Sequence, residues 1–263
     1  MKKIFAFAFC IFFGVCFLLF PDSVKLSCTH SLTLCGRALI PSLFPFMVLS
    51  NFIVKSGILP PSPFILGLVG GYPVGADVLC KLYTEGVISK DAAERALPLC
   101  SLCGTGFIFG VVSSVFSPFF ALFLWCVHVA TALFLAPFPK VKMKNHVLPF
   151  TSAFTESVKA ALFSVLSVCA FVLTCGLLCD LLPVPKFLYG IFELSRGVIA
   201  LENTRFSMVL AGFYTSFGGL CVHGQVAALC AEAGISPKVH FTKKLLHGVL
   251  TAFALLLLTF FIF

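Results

Sequence analysis

The sequence predicts an all-α polytopic membrane protein, with about six transmembrane helices plus two glycine-rich re-entrant hairpins in an inverted repeat. Three observations predict it. Apolar residues make up 60% of the 263 residues and charged residues 11%, against roughly 45–50% and about 25% in soluble domains. A soluble fold could not hide that surplus, whereas in a bilayer the exterior is itself apolar; the 33 Phe residues suit lipid-facing and bundle-filling positions. The apolar residues are gathered into runs near the ~20 needed to cross the hydrocarbon core. The basic residues behind the formal charge of +8 sit in short connectors, for example Lys140, Lys142 and Lys144. That is the pattern of cytoplasmic loops facing anionic lipid, not of a nucleic-acid surface.

Taken in order, Met1-Lys-Lys followed by apolar Ile4 to Phe20 reads as a retained signal anchor, because no small-x-small cleavage site follows before Pro21. With its connector it occupies 1–30. Further crossings are expected at 31–54, 97–116, 119–137, 157–182 and 245–263. Two stretches, 63–83 and 204–230, are apolar but broken by glycines: Gly67, Gly70, Gly71 and Gly75 in the first, Gly212, Gly218, Gly219 and Gly224 in the second. Irregular backbone at membrane depth is tolerated only where protein or a cavity satisfies its polar groups, so both are read as re-entrant hairpins.

Charge supports the first. With Lys2, Lys3 and the 140–146 loop inside, the chain from 4 to 137 crosses an even number of times. The runs 4–20, 31–54, 97–116 and 119–137 supply those crossings, so 63–83 returns to the side it entered. Lys55, Lys81, Lys90 and Arg95 then also face the cytoplasm. In the second half, a hairpin at 204–230 leaves Lys238, Lys243 and Lys244 on the outer face unless 187–203 enters the membrane.

A faint repeat divides the chain into halves at 31–139 and 140–263. A shift of 147 aligns Gly71 with Gly218 and Ile88-Ser89 with Ile235-Ser236, and a shift of 122 aligns Arg37-Ala38 with Lys159-Ala160. Ser89 and Ser236 are expected N-caps, with Asp91 in one first turn and Pro237 opening the other helix. Inverted repeats with paired broken segments are the mark of secondary transporters, which hold solute where the interruptions meet.

The candidate solute-site residues follow from those clusters. Gly71, Tyr72 and Gly75 of Gly70-Gly-Tyr-Pro-Val-Gly75 would expose backbone polar groups in a dry setting; packing within the protein is the alternative reading. Asp77 shares a helical face with Lys81 and Glu85, which suits interfacial ion pairs as well as a solute. Glu193, an acid among apolar residues, is a functional candidate if its segment is intramembrane. Ser216, Gly218, Gly219, His223 and Gln225 complete the second cluster; Gln225 can both donate and accept. His128, mid-helix in 119–137, bonds a neighbouring helix or a proton.

Most of the 13 cysteines lie inside apolar runs and read as packing residues, and so does the lone Cys100-Ser-Leu-Cys103 pair. No His/Cys/Asp cluster has metal spacing, and neither a Ser-His-Asp arrangement nor HExxH is present. No catalytic residue, metal or cofactor is therefore expected, and the chain is not read as an enzyme.

Gly70-Gly71-Tyr72-Pro73-Val74-Gly75-Ala76, Leu82-Tyr83, Glu85-Gly86 and Ile88-Ser89 resemble the signature of YlbJ-type sporulation integral membrane proteins, in the nucleoside-recognition (Gate) superfamily. The resemblance continues in Pro41-Ser42-Leu43-Phe44-Pro45-Phe46, in Glu193 with Gly197, and in Phe217-Gly218-Gly219-Leu220 with His223 and Gln225-Val226. It implies a multi-pass protein of the inner or forespore membrane of endospore-forming bacteria, with Gate-like halves, distantly similar to concentrative nucleoside transporters. It also implies a solute such as dipicolinate, a planar pyridine dicarboxylate. Asp77 stands where that family usually has a basic residue, which disfavours an anionic solute.

The expectation is passage of a small polar or heteroaromatic metabolite during sporulation. The alternative is a non-transporting structural or assembly subunit of a spore-membrane complex. Expected partners are membrane lipid and a small-molecule solute, with a homo-oligomer left open and nucleic acid excluded.

Overall fold

The computed structural model describes residues 2–57, 62–139, 141 and 148–262; the basic positions Lys140, Lys142 and Lys144 lie outside them. Among the described residues every regular element is a helix. Five helices are long and apolar enough to cross a membrane, or six with a bent amino-terminal pair counted as one. The chain is a multi-pass membrane protein.

Helix α1 (Lys2–Leu19) is apolar and exposes Phe7, Phe9, Ile11 and Phe17. At Pro21 the chain turns by 106° into α2 (Pro21–Leu34), because proline has no N–H with which to continue the preceding ladder. Residues 21–30, read as a connector, are therefore helical. A π-helical turn, Cys35–Leu39, leads on into α3 (Ile40–Ser56), which Gly57 ends in the left-handed conformation. The first half continues with α4 (Pro63–Gly70), α5 (Tyr72–Thr84), α6 (Lys90–Cys100), the short α7 (Thr105–Phe107), a π turn, α8 (Ser113–Val115) and α9 (Pro118–Leu135).

The second half opens with α10 (Phe150–Leu181), 32 residues and thus about 48 Å long. It runs antiparallel to both α2 and α3. At one end Lys55 pairs with Glu156 at 2.7 Å. At the other, Arg196 pairs with Asp180 and donates to Ser27 O at 3.0 Å and Ser31 Oγ at 2.7 Å. Residues 21–56 thus lie along α10 from one end to the other.

Helices α4 and α5 fold back on each other as a hairpin. A Cβ on Gly75 would stand 2.7 Å from Gly67 Cα, so the two glycines set the closest approach. The turn is at Gly71, whose φ of +94° is open to glycine and costly for other residues. Residues 63–83 are the hairpin that the charge count expects. Ser89 Oγ accepts from Ala92 N and caps α6. The span 90–115, expected to be a plain crossing, is interrupted at 101–104 before α7.

The second half corrects the sequence reading. After α10 come a 3₁₀ turn (Lys186–Leu188), α11 (Tyr189–Phe192), α12 (Leu194–Ile199), α13 (Arg205–Phe217), α14 (Gly219–Ala233) and α15 (Lys238–Ile262). The hairpin is α11–α12, not 204–230. A Cβ on Gly197 would lie 2.1 Å from Gly190 Cα, the same glycine-on-glycine closure as Gly67 with Gly75. Residues 205–233 form one interrupted span of 29 residues. Gly218 and Gly219, with φ of +93° and +73°, break that helix without reversing it.

The register of the repeat changes accordingly. The closing glycines of the two hairpins, Gly75 and Gly197, are separated by the shift of 122, not 147. Aligning Gly71 with Gly218 pairs a hairpin with a broken helix. Each half consists of a long helix, a hairpin, a broken helix and a final helix. Candidate crossings fall at 90–115 and 118–135 in the first half and at 150–181, 205–233 and 238–258 in the second. Ser236 N donates to Glu94 Oε1 at 2.8 Å, so the start of α15 lies beside the start of α6.

Candidate functional site

Each hairpin tip rests on the interrupted helix of its own half. A Cβ on Gly104 would be 3.0 Å from Gly71 Cα, and one on Gly219 would be 2.8 Å from Gly190 O. Thr105 Oγ1 donates to Leu68 O at 2.7 Å and Ser101 Oγ to Tyr72 O at 3.2 Å, which gives bent backbone its polar partners. The halves meet at Tyr72: its hydroxyl donates to Thr215 O, and its ring is 3.3 Å from where a Gly218 Cβ would be.

Between these four features lies a cavity of about 240 Å³, below the roughly 300–1,000 Å³ of drug-sized pockets and so of metabolite scale. Tip one contributes Gly70, Gly71 and Tyr72, and its interrupted helix Cys103 and Gly104. Tip two contributes Glu193 and Ser195, and α14 contributes Cys221 and Gln225. The side walls are apolar, from Leu39 and Leu43 on one side and Val168 and Val172 of α10 on the other.

Glu193 is the acid at this wall, 2% exposed. Its carboxylate accepts from Ser195 N at 3.0 Å and Arg196 N at 2.7 Å, making it the N-cap of α12. An aspartate or serine is the usual cap; the longer glutamate does the same work here. Gln225 Nε2 lies 3.2 Å from Cys221 Sγ.

Of the ten residues singled out from sequence, Gly71, Tyr72, Glu193 and Gln225 line the cavity. The other six do not. Gly75 closes hairpin one against Gly67 and Cys100 O. Asp77 pairs with Lys81, which also donates to Asn51 on α3; its charge is matched away from the cavity, so it gives no ground against an anionic solute. Ser216 bonds His128 and Thr251. Gly218 and Gly219 form the break in the helix. His223 packs among Phe217, His240 and Phe241.

Sequence reasoning missed Cys103, Gly104 and Ser195. Pro98, Ser101 and Gly104 within one apolar run are the signal that 97–116 is interrupted.

This architecture can be set beside known proteins. The chain is similar to YlbJ. It is 24% identical to the sporulation integral membrane protein YlbJ of Bacillus subtilis (strain 168) over an alignment of 307 residues, covering 86% of this chain and 75% of that protein. No family model matches the chain, and no solved structure matches it.

Proposed function

We propose that this YlbJ-like protein passes a small polar or heteroaromatic metabolite across a membrane of a sporulating cell, without chemical change to the solute. The observation that carries the reading is a cavity lined by both hairpin tips, by the first helix interruption at Cys103 and Gly104, and by Cys221 and Gln225 of α14 beyond the second. Paired broken segments of inverted repeats are where secondary transporters bind solute. The sporulation context comes from the name of the YlbJ relative. Gln225 is the polar side chain offered to a planar solute, and apolar walls suit a ring. Dipicolinate and nucleosides are the solutes to test first.

One observation favours the second reading, a packing or assembly subunit. Tyr72 and Glu193 already have their hydrogen-bond partners inside the protein.

Flux into proteoliposomes separates the two. Gly106 and Gly110 lie at the cavity wall, and a Cβ at either meets nothing within 4 Å, so a side chain can be added there without a clash at its first atom. Wild-type protein should admit labelled pyridine-2,6-dicarboxylate or uridine. Gly110→Trp, at equal protein level and thermal midpoint, should lower that flux roughly tenfold or more by filling the space the solute needs. Flux of neither solute, or flux unchanged by Gly110→Trp, leaves the assembly-subunit reading in the lead.

A further inference from the structure

Helix α15 buries a polar stripe that the cavity does not use. His240, Lys244, His247 and Thr251 follow at spacings of four, three and four, one helical face, and none is more than 2% exposed. Lys244 is fully buried, and among the described residues no carboxylate pairs with it. An ionisable group at membrane depth without a counter-ion is costly and marks an ion or proton pathway by default.

The partners of Lys244 define what it can do. Its Nζ lies 3.0 Å from His247 Nδ1, while His247 Nε2 lies 2.9 Å from His128 O. A carbonyl only accepts, so Nε2 carries the proton and Nδ1 offers its lone pair to Lys244. On the other side, Nζ stands 5.1 Å from the centroid of the Tyr72 ring. A cation is held over that ring face and a neutral amine is not. Tyr72 in turn lines the cavity and ties tip one to Thr215 of the other half.

One turn toward the amino end of α15, His240 faces His223 with ring centroids 5.3 Å apart, and none of their four ring nitrogens has a protein partner. Both residues line a groove with Pro237, Lys238 and Phe241 at the Lys238 end of the helix. Buried polar atoms left without protein partners call for water or a proton donor, and both residues border the groove. The other titratable groups around the stripe are His128 on α9, Tyr72 on α5 and Cys103 at the interruption. Glu94 on α6 is engaged with Ser236 N at the helix start.

We propose that Lys244 and His247 form a proton-binding site, filled and emptied through the His223–His240 groove, whose charge state is passed to the central cavity through Tyr72. A proton arriving in the groove adds to the Lys244 amine lone pair, forming an N–H bond. The ammonium then holds the Tyr72 ring and tip one, and loss of the proton by the same route frees them. The proposal rests on the transport reading for what the proton drives, not for whether it binds.

The full-length protein is reconstituted into liposomes loaded with the pH dye pyranine, under a K⁺–valinomycin potential, with and without external pyridine-2,6-dicarboxylate and uridine. Lys244→Met removes the site. Lys244→Arg keeps a charge that is never released, and it remains informative if the methionine variant does not fold. Proton movement that accompanies solute, or a solute-free leak above that of empty liposomes, should fall roughly tenfold or more in both variants, since arginine stays protonated at every working pH. Solute flux in the wild type with no proton movement overturns the proposal, and so does proton movement unchanged in either variant. A leak that the variants lose, without any solute flux, would instead count against the transport reading alone. Absence of both flux and leak overturns both.

Discussion

Gly75→Ala is expected to remove most of the folded protein. The added Cβ would sit 1.9 Å from Cys100 O and 2.7 Å from Gly67 Cα. Overpacking a core costs about 1–3 kcal/mol when side chains can give way, and more when they cannot. Here the obstacles are backbone atoms on two sides, held by the hairpin and by the end of α6. The cost should therefore exceed that range and appear as aggregated protein in detergent or a collapsed thermal midpoint. Gly197→Ala should behave alike, because its Cβ would lie 2.1 Å from Gly190 Cα. Gly110→Ala is the control: it meets nothing within 4 Å, so it should be neutral or gain the roughly 0.5–1 kcal/mol by which alanine outdoes glycine in a helix. A Gly75→Ala protein as stable as wild type would mean that α4 and α5 do not close on each other.

The second large effect is expected at Glu193. Its two carboxylate oxygens serve the N–H groups of Ser195 and Arg196 at a tip that is 2% exposed. Glu193→Ala leaves both donors without partners, at about 1–3 kcal/mol each. Glu193→Gln keeps one acceptor oxygen and should lose about half as much. Thermal midpoints of the purified variants rank them: wild type, then Gln, then Ala. If the glutamine variant keeps most of its stability and solute flux while the alanine variant loses both, the residue acts by shaping the tip. If the glutamine variant is stable but does not pass solute, the carboxylate charge itself acts on the solute. Equal midpoints for all three proteins would contradict the cap.

The membrane class was legible because composition alone requires it, and hairpin one was legible because the basic residues around it permit only a return. Capping at Ser89 was legible because it is local. The second hairpin was not. Its two helices, Tyr189–Phe192 and Leu194–Ile199, are far shorter than a crossing, and the richer glycine cluster at 212–224 drew the assignment instead. What separates a hairpin from an interrupted helix is spacing, not glycine number. Gly67 and Gly75, like Gly190 and Gly197, are placed so that each faces the other across a turn, whereas Gly218 and Gly219 are adjacent and only bend the chain.

The site shows the same division. Glu193 stood out as an acid among apolar residues, but its role as a cap depends on the turn at the tip. Asp77 reads from sequence as a solute contact or an ion-pair partner, and it is Lys81, itself held by Asn51, that engages it. Tyr72 was chosen for its glycine neighbours, while its bond to Thr215 joins residues 143 positions apart, which no local pattern announces.

The transport proposal requires that two inverted halves each insert a hairpin toward a shared cavity, with 205–233 crossing the membrane between them. Its most direct test is the sidedness of the two ends of that span. Asn203 and Glu232 are both exposed and flank it. In a cysteine-free variant, Asn203→Cys should react with an impermeant thiol reagent in intact cells. Glu232→Cys, together with Asp91→Cys at the start of α6, should react only after the cells are opened. Reaction of Asn203→Cys and Glu232→Cys from the same side would make 204–230 the hairpin after all and contradict the inverted arrangement.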